Sequence, residues 1–399
     1  MRTPNQLPSR GLALALAGAA LLAFSPVASA DFESNLDKTF PVSPGGKLVV
    51  EADRGDITAT TGDAANVTIK VWRKVKGGAQ EKADRLFADH EVTFTQDGNT
   101  VRVTAKAKSD KAIRISWREP QLQVKYEVAI PRRFDANLKT AAGNVQLGPV
   151  LEGDAVAQTS AGNITLKTVT GTVEARTSGG NIRIDDAGKT VTAHTSAGNI
   201  HVGKAAAKVD AHTSGGDVVV EAAADAVVAG TSAGNIRVKQ AAGKVEAKTA
   251  GGNIEVGAAD AAVTVQTSAG NIKLGAMKAK VEARNTGGDI TVSQAHAAVT
   301  AKTSAGNVSA TFAAAPDGDV QLETSGGNVT LALPESAAVN LSAKTAAGNV
   351  TSELPVTTVA TTSRKSGQLS GQINGGGPVM TLRTSAGNIR VKKLPATGQ

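Results

Sequence analysis

A small corner, Thr-Ser-Ala-Gly-Asn or a close variant, returns through most of this chain at a nearly constant interval, and that interval decides what the chain can fold into. Aligned on the Asn or Asp that follows Gly and precedes Ile or Val, the copies fall at Asn144, Asn163, Asn181, Asn199, Asp217, Asn235, Asn253, Asn271, Asp289, Asn307, Asn328, Asn349 and Asn388. From Asn163 to Asn307 the spacing is eighteen residues, eight times running, and steps of twenty-one follow. A degenerate copy, "KSGQLSG" around Gln368, fills the gap before Asn388 and brings the count to about fourteen units. Self-similarity at such a period marks one structural unit that cannot stand alone and must stack on its neighbours.

Each unit reads Val-x-Ala-x-Thr, a turn, then Asn-Ile-x-Val, as in "VEAKTAGGNIEV" from Val245 to Val256. Apolar and polar residues alternate on both sides of the turn, the period-two pattern of half-buried strands. Val245, Ala247 and Thr249 therefore share one face, and Ile254 and Val256 share the inward face of the next strand. Two short strands and two tight corners make one coil of a flattened β-solenoid. Fourteen coils stacked ~4.8 Å apart give a rod of roughly 65 Å. The alternative is a series of stacked β-hairpins, in which the two strands of a unit pair with each other. The eighteen-residue regularity, and Ala where a hairpin would need bulk, favour the solenoid. The corner alternates between Ala-Gly and Gly-Gly, and Glu174, Asp210, Glu246 and Glu282 recur every thirty-six residues, which points to a duplicated two-coil unit.

The ends differ from the array. Residues 1–30 read as an export signal: Arg2 and Arg10, an apolar run from Gly11 to Phe24, and Ala28-Ser29-Ala30 as a small-residue cleavage site. Residues 31–135 form a β-rich N-terminal cap, with strands expected at Lys47–Ala52, Asn66–Trp72, Glu91–Phe94, Thr100–Ala105 and Gln121–Ile130 and one short helix at Ala79–Asp89. Here "RGDITA" at Arg54–Ala59 matches the corner and reads as an outlying first copy. Residues 136–393 are the repeat array, and 394–399 a C-terminal tail. The expected fold is thus all-β: a solenoid of about fourteen coils of 18–21 residues, closed at its N-terminal end.

Composition narrows the function. The chain has no Cys, which excludes disulfides, thiolate metal sites and a lipidated cysteine. Without the two Arg of the leader, 41 basic side chains face 35 acidic ones, and no run of five Lys or Arg occurs. Aromatics are 3% of the chain and, beyond Phe134, only Phe312 remains, so nucleic acid would find no stacking platform on the array. No later segment is apolar for long enough to be a membrane span.

The passages "FPVSPGGKLVVEADRGDITAT" and "VKYEVAIPRRFDANLKTAAGNVQL", followed by the train of TSxGNI units, resemble the bacterial "putative adhesin" domain of unknown function. The likeness runs from about Phe40 to Val391. It implies an exported or membrane-anchored β-solenoid and brings no catalytic residues, cofactor or metal with it. No anchor is evident in this chain.

Candidate sites were weighed on the residues. The Gly-Asn corner reads as structural, with Gly giving a positive φ and Asn a hydrogen-bonding ladder from coil to coil. Asp replaces Asn in this array only at Asp217 and Asp289, too few for the carboxylates a Ca²⁺ roll needs. His194 and His212 share a column of successive coils but lack a third ligand in that column, and His201 falls on the other strand. Lys139, Arg176, Lys248, Arg284, Lys302, Lys344 and Arg383 make an outward column that is a candidate basic face, interrupted by Gln158, Gly230, Gln266 and Glu323. The Arg54-Gly55-Asp56 tripeptide follows from the register, and the terminal "LPATGQ" matches a sorting signal that lacks its apolar span. Singly recurring acids, without a paired-carboxylate or Ser/His/Asp grouping, argue against an enzyme. The expected protein is an exported, non-enzymatic adhesin or cell-envelope scaffold, periplasmic or extracellular, contacting surface polysaccharide or envelope proteins. The alternatives are a periplasmic accessory protein that binds through the N-terminal cap, and a polysaccharide-acting β-helix enzyme.

Overall fold

The computed structural model describes residues 31–108, 122–358 and 367–394. Residues 1–30, read from the sequence as an export signal, Trp117 and all of the sorting-like tail but Leu394 lie outside the described residues. Strands β1 (Phe32–Pro41), β2 (Gly46–Ala52), β3 (Asp56–Gly62) and β4 (Asn66–Val75) come first, followed by helix α1 (Gln80–Asp89). Then come β5 (His90–Asp97), β6 (Thr100–Ala107), β7 (Leu122–Pro131), β8 (Phe134–Thr140) and β9 (Val145–Leu151), and the array continues from there.

The two strands of a coil do not pair with each other. Val245–Lys248 lies parallel to Val227–Gly230 on one side and to Val263–Gln266 on the other. Ile254–Ala259 is likewise parallel to Ile236–Ala241 and Ile272–Met277. From Ala155 to Lys302 every pairing joins residues one coil apart, so the array is a solenoid of parallel strands and the hairpin alternative is overturned. The alternation read from the sequence sets the core: Val245, Ala247, Ile254 and Val256 are buried, with Thr249 closing their row at 2% exposure. Ala247 is the one small residue among these four and is buried to 1% exposure.

Three devices hold the corner. Thr249 sends its hydroxyl inward to the carbonyl of Gly234 at 2.9 Å, and the same bond recurs from Thr159 (2.8 Å) through Thr384 (2.8 Å). Where Asn285 replaces the Thr, its amide makes the bond to Gly270 at 2.7 Å. The corner Asn then accepts, through Oδ1, the backbone N–H of its counterpart one coil on: Asn199 to Asn181 at 2.8 Å, Asp217 to Asn199 at 2.8 Å, Asn235 to Asp217 at 2.7 Å. The second corner Gly is the third device. A Cβ on Gly198 would stand 1.9 Å from the carbonyl oxygen of Gly180, and the same distance separates Gly234 from Gly216. Close approach, not a positive φ, therefore demands Gly in the interior coils. Positive φ at this corner is confined to Gly55, Gly143, Gly306, Gly348 and Gly387 towards the ends, which corrects the expectation from the sequence. The preceding small residue is under no such demand, since a Cβ on Gly215 would meet its nearest atom at an ordinary 3.5 Å.

Both ends depart from the simple register. At the N-terminal end, β2 and β3 are themselves a coil: β2 is parallel to β8 and β3 to β9, and Asp56 takes the N–H of Asn144 at 2.7 Å. Outside that coil, β6 lies on β2 and β7 on β3, again parallel. Antiparallel β5 then covers β6, and β4 and β1 extend the sheet of β7. Helix α1, with Ala83 buried beneath it, joins β4 to β5 over the end of the stack. At the C-terminal end the spatial order is not the chain order. Val379–Ala386 inserts between Val320–Gly326 and Val339–Ala347, parallel to both. The rungs there run Asn328, Asn388, Asn349, each bonded at 2.9 Å. The segment at Gln368, read as a degenerate coil, instead runs antiparallel to Val339–Ala347 and covers that edge.

Gly198→Ala is expected to lower the thermal unfolding midpoint by the equivalent of about 1–3 kcal/mol or more, the usual cost of overpacking, whereas Gly215→Ala stays within about 0.5 kcal/mol; circular-dichroism melts compare the two. Asn181→Asp retains the acceptor for the Asn199 amide and is expected to be near neutral. Asn181→Leu removes the acceptor of that exposed N–H and costs about 0.5–1.5 kcal/mol, read as faster hydrogen exchange at Asn199.

Candidate functional site

The corner residues form one continuous ladder. Asn144, Asn163, Asn181, Asn199, Asp217, Asn235, Asn253, Asn271, Asp289, Asn307, Asn328, Asn388 and Asn349 follow Asp56 in that spatial order, each joined to the next by a backbone N–H to side-chain Oδ1 bond. The working atom is an oxygen acceptor, which is why Asp serves as well as Asn. The carboxylates at Asp217 and Asp289 are therefore spent on the backbone and stand four rungs apart, too far to share an ion. Asp56 of the Arg-Gly-Asp tripeptide is occupied in the same way.

The candidate basic column is in register on the opposite side of the corner from the Ile-x-Val sheet. Lys139 and Arg176 stand two coils apart on one sheet, Lys248 follows four coils on, beyond His194, His212 and Gly230, and Arg284 and Lys302 lie two and three coils past Lys248. The inserted C-terminal coil then makes Arg383 and Lys344 direct neighbours, with Glu323 between Arg383 and the rest. Acids temper the charge, Glu174 and Glu282 from the adjoining column and Glu323 from the same one. Arg176 meets Glu174 at 3.1 Å, Arg284 meets Glu282 at 3.0 Å, and Lys302 meets Glu323 at 3.1 Å. Glu323 is partly buried, which raises its pKa, but the Lys302 ammonium, the Gln321 amide and nearby Arg383 outweigh that and hold it below the usual carboxylate range. The face is mixed rather than uniformly basic.

His194 and His212 stand on adjacent coils with ring centroids 5.5 Å apart. A third group that column-by-column reading missed does approach them: Asp210 lies 3.0 Å from His212 Nε2 and 3.5 Å from His194 Nε2. It belongs to the neighbouring outward column, two residues before His212, so period-two spacing could have flagged it. Among the described residues, no group of three or more His, Asp or Glu side chains has the arrangement of a metal centre. His201 is on the other sheet, paired with Arg183.

Sequence reasoning missed a buried polar cluster in the cap. Arg73, 7% exposed, donates to the carbonyls of Phe87 (3.0 Å) and His90 (3.2 Å) and to Ser34 Oγ (2.7 Å). It thereby ties α1 and β1 to the sheet. His90 lies beneath it at 3% exposure, with Nε2 3.3 Å from the Tyr126 hydroxyl and 3.8 Å from Asp53. Burial lowers the His90 pKa, against a smaller upward pull from Asp53, and raises that of Tyr126. The folded cap therefore favours neutral His90, while the unfolded chain protonates near pH 6.5. Below about that pH the unfolded state binds more protons, so cap stability falls as pH drops towards the lowered folded pKa. Amide exchange in β5 and β6, measured from pH 7.5 to 5.5, is expected to speed up more than the intrinsic rate predicts, and His90→Gln to flatten that dependence.

No described helix is long and apolar enough to cross a membrane. A comparison with curated proteins returned no match. Among solved structures, a putative cell adhesion protein from Clostridium sporogenes is 9% identical, with 90% of this chain and 100% of that one covered and a TM-score of 0.17. A putative adhesin from Bacteroides fragilis is 10% identical, covering 90% and 97%, with a TM-score of 0.21. A putative adhesin from Parabacteroides merdae is 15% identical, covering 72% and 92%, with a TM-score of 0.23. Scores so low carry no weight for fold or function. The sequence match is of another order. The family model Toastrack DUF4097 matches residues 46–293 and again 204–392, from the first coil to the last rung and over both sheets. The chain belongs to the Toastrack DUF4097 family.

Proposed function

We propose that this protein is an exported, non-enzymatic adhesion or envelope-scaffold module whose working parts are the exposed columns of the rod. The observation that carries the reading is register. Ladder bonds at every corner keep each coil from slipping against the next, so one exposed side chain per coil becomes a row with a fixed repeat. A row of weak contacts gains strength through multivalency when its partner is itself periodic, as a surface polysaccharide is. The leader at residues 1–30 and the family membership support export, to the periplasm or beyond. The second reading is an accessory protein engaging an envelope partner through the cap, and the buried Arg73–His90–Tyr126 cluster that stiffens this end favours it over the enzyme reading.

Deleting residues 181–216 removes one thirty-six-residue unit and joins Gly180 to Asp217 in register. Binding of the mature chain to intact cells or immobilised surface polysaccharide is expected to weaken severalfold, with the fold retained by circular dichroism. Binding indifferent to the number of units would sink the multivalent reading and leave the cap as the binding end.

A further inference from the structure

The N-terminal end carries a second surface that the ladder does not explain. On the outward face of β1, β4, β7, β3 and β9, strand register aligns two rows across five neighbouring strands. One row is Asn35, Trp72, Lys125, Asp56 and Asn144. The other is Asp37, Lys70, Glu127, Thr58 and Gln146. A hollow of about 400 Å³ opens around Trp72 and Lys70, and a second of about 170 Å³ around Asp56 and Gln146. Lys125 and Glu127 line both, so the two are one trough running along the rod axis. At ~4.8 Å between strands it spans roughly 19 Å.

Trp72 is set apart by its place. Tyr126, Phe134 and Phe312 are sealed in the core, and Phe32, Phe40, Phe87 and Phe94 are half-buried as Trp72 is, but of these aromatics Trp72 alone lines the trough. Its ring is held in place: Nε1 donates to Glu33 at 3.2 Å, and Glu33 also takes the Lys74 ammonium at 3.1 Å. The Lys125 and Lys74 ammonium groups stand 5.2 and 5.9 Å from the ring centroid. An oriented indole at the mouth of a polar trough offers an apolar plate with a wet rim. Beyond it, Asp37, Lys70, Glu127, Thr58 and Gln146 alternate acceptors and donors from strand to strand.

We infer that this trough is a binding site for a neutral oligosaccharide. Each sugar hydroxyl both donates and accepts, which an alternating row of carboxylate, ammonium and amide groups satisfies. The C–H face of a pyranose ring is flat and apolar, which suits the indole. Asp37, Glu127 and Asp56 outnumber Lys70 and Lys125, so the trough carries no excess positive charge with which to hold an acidic glycan. The site deepens the adhesion reading and rests on it, since it gives the rod a specific end besides its repeated faces.

The test is titration of the full mature chain with neutral hexasaccharides of β-1,4-linked glucose and of N-acetylglucosamine, beside a polygalacturonate oligomer, by calorimetry. Binding of a neutral oligosaccharide is expected, weakened at least about tenfold by Trp72→Ala and partly restored by Trp72→Phe. Glu127→Gln and Gln146→Ala, which leave the indole alone, are expected to weaken it severalfold, and Lys248→Ala on the other sheet to leave it unchanged. Circular-dichroism melts establish that each variant folds. The 181–216 deletion separates the two ideas. Neutral-glycan binding that survives the deletion and is lost with Trp72→Ala supports the trough. Binding lost with the deletion but indifferent to Trp72 and Glu127 overturns the trough and leaves the multivalent array standing. Preference for the acidic oligomer, or binding of neither neutral probe, also overturns it.

Discussion

Everything in this rod depends on how closely one corner can lie on the next. The second corner glycine leaves no room for a Cβ, because the carbonyl of the preceding coil occupies that space: 1.9 Å at Gly180, Gly198 and Gly234. That contact sets the coil separation at the corner. It also places the corner amide opposite Oδ1 of the Asn below and the Thr hydroxyl opposite the neighbouring Gly carbonyl. Backbone groups at a tight corner are the ones a β-ladder cannot pair, and leaving them buried and unpaired would be costly. Two side chains per coil satisfy them, and the same two side chains forbid a slip of register.

A rigid register has an electrostatic consequence. Identical coils would place identical charges directly above one another, and like charges opposed across neighbouring strands destabilise a sheet. The two-coil period avoids this. Glu174, Asp210, Glu246 and Glu282 sit on alternate coils, with Thr192, Val228 and Thr264 between them. Doubling the separation at least halves the repulsion, and salt screens much of the rest. Each acid then finds a cation or imidazole close by: Arg176, His212, Lys244 and Arg284. The Gly-Gly and Ala-Gly corners alternate without a comparable physical need, since the position accepts a methyl group. That alternation runs in step with the charge pattern, both with a period of thirty-six residues, as a duplicated two-coil unit would leave them.

The solenoid, its strand faces and the ladder positions were legible in the sequence because each unit repeats the same local problem. Val245, Ala247 and Thr249 on one face and Ile254 and Val256 on the next need only period-two alternation to be placed. Cap strands β2 and β4 to β7 and the helix were legible for the same reason. The first strand was not: in "FESNLDKTFP" only alternate residues are half-buried, as befits an edge, so its apolar signal is weak. The role of the corner glycine was misassigned because a positive φ is a property of one residue, whereas close approach is a property of two coils. The trough and the buried cap cluster were illegible for a related cause. Trp72, Lys125 and Asp56 come together through one antiparallel and one parallel pairing, and no spacing in the chain announces either.

The same distinction explains why the ends of the rod break the rule of the middle. From Asn163 to Asn307 every new coil closes a loop of eighteen residues, the same step each time. At the C-terminal end Asn388 bonds Asn328 across sixty residues, which costs about 1 kcal/mol more in loop closure than an eighteen-residue step. The N-terminal coil reaches further still, with eighty-eight residues between Asp56 and Asn144. A stack that only repeated itself would leave at each end the same open edge on which its own coils grow, an invitation to end-to-end polymerisation. Bringing in a distant segment ends the repeat. Residues 368–373 run antiparallel on the last full coil, and at the other end β5 runs antiparallel on β6, β4 on β7 and β1 on β4, so the surface offered outward no longer matches a parallel coil. Closing over long stretches of chain is what brings those antiparallel strands to the two ends.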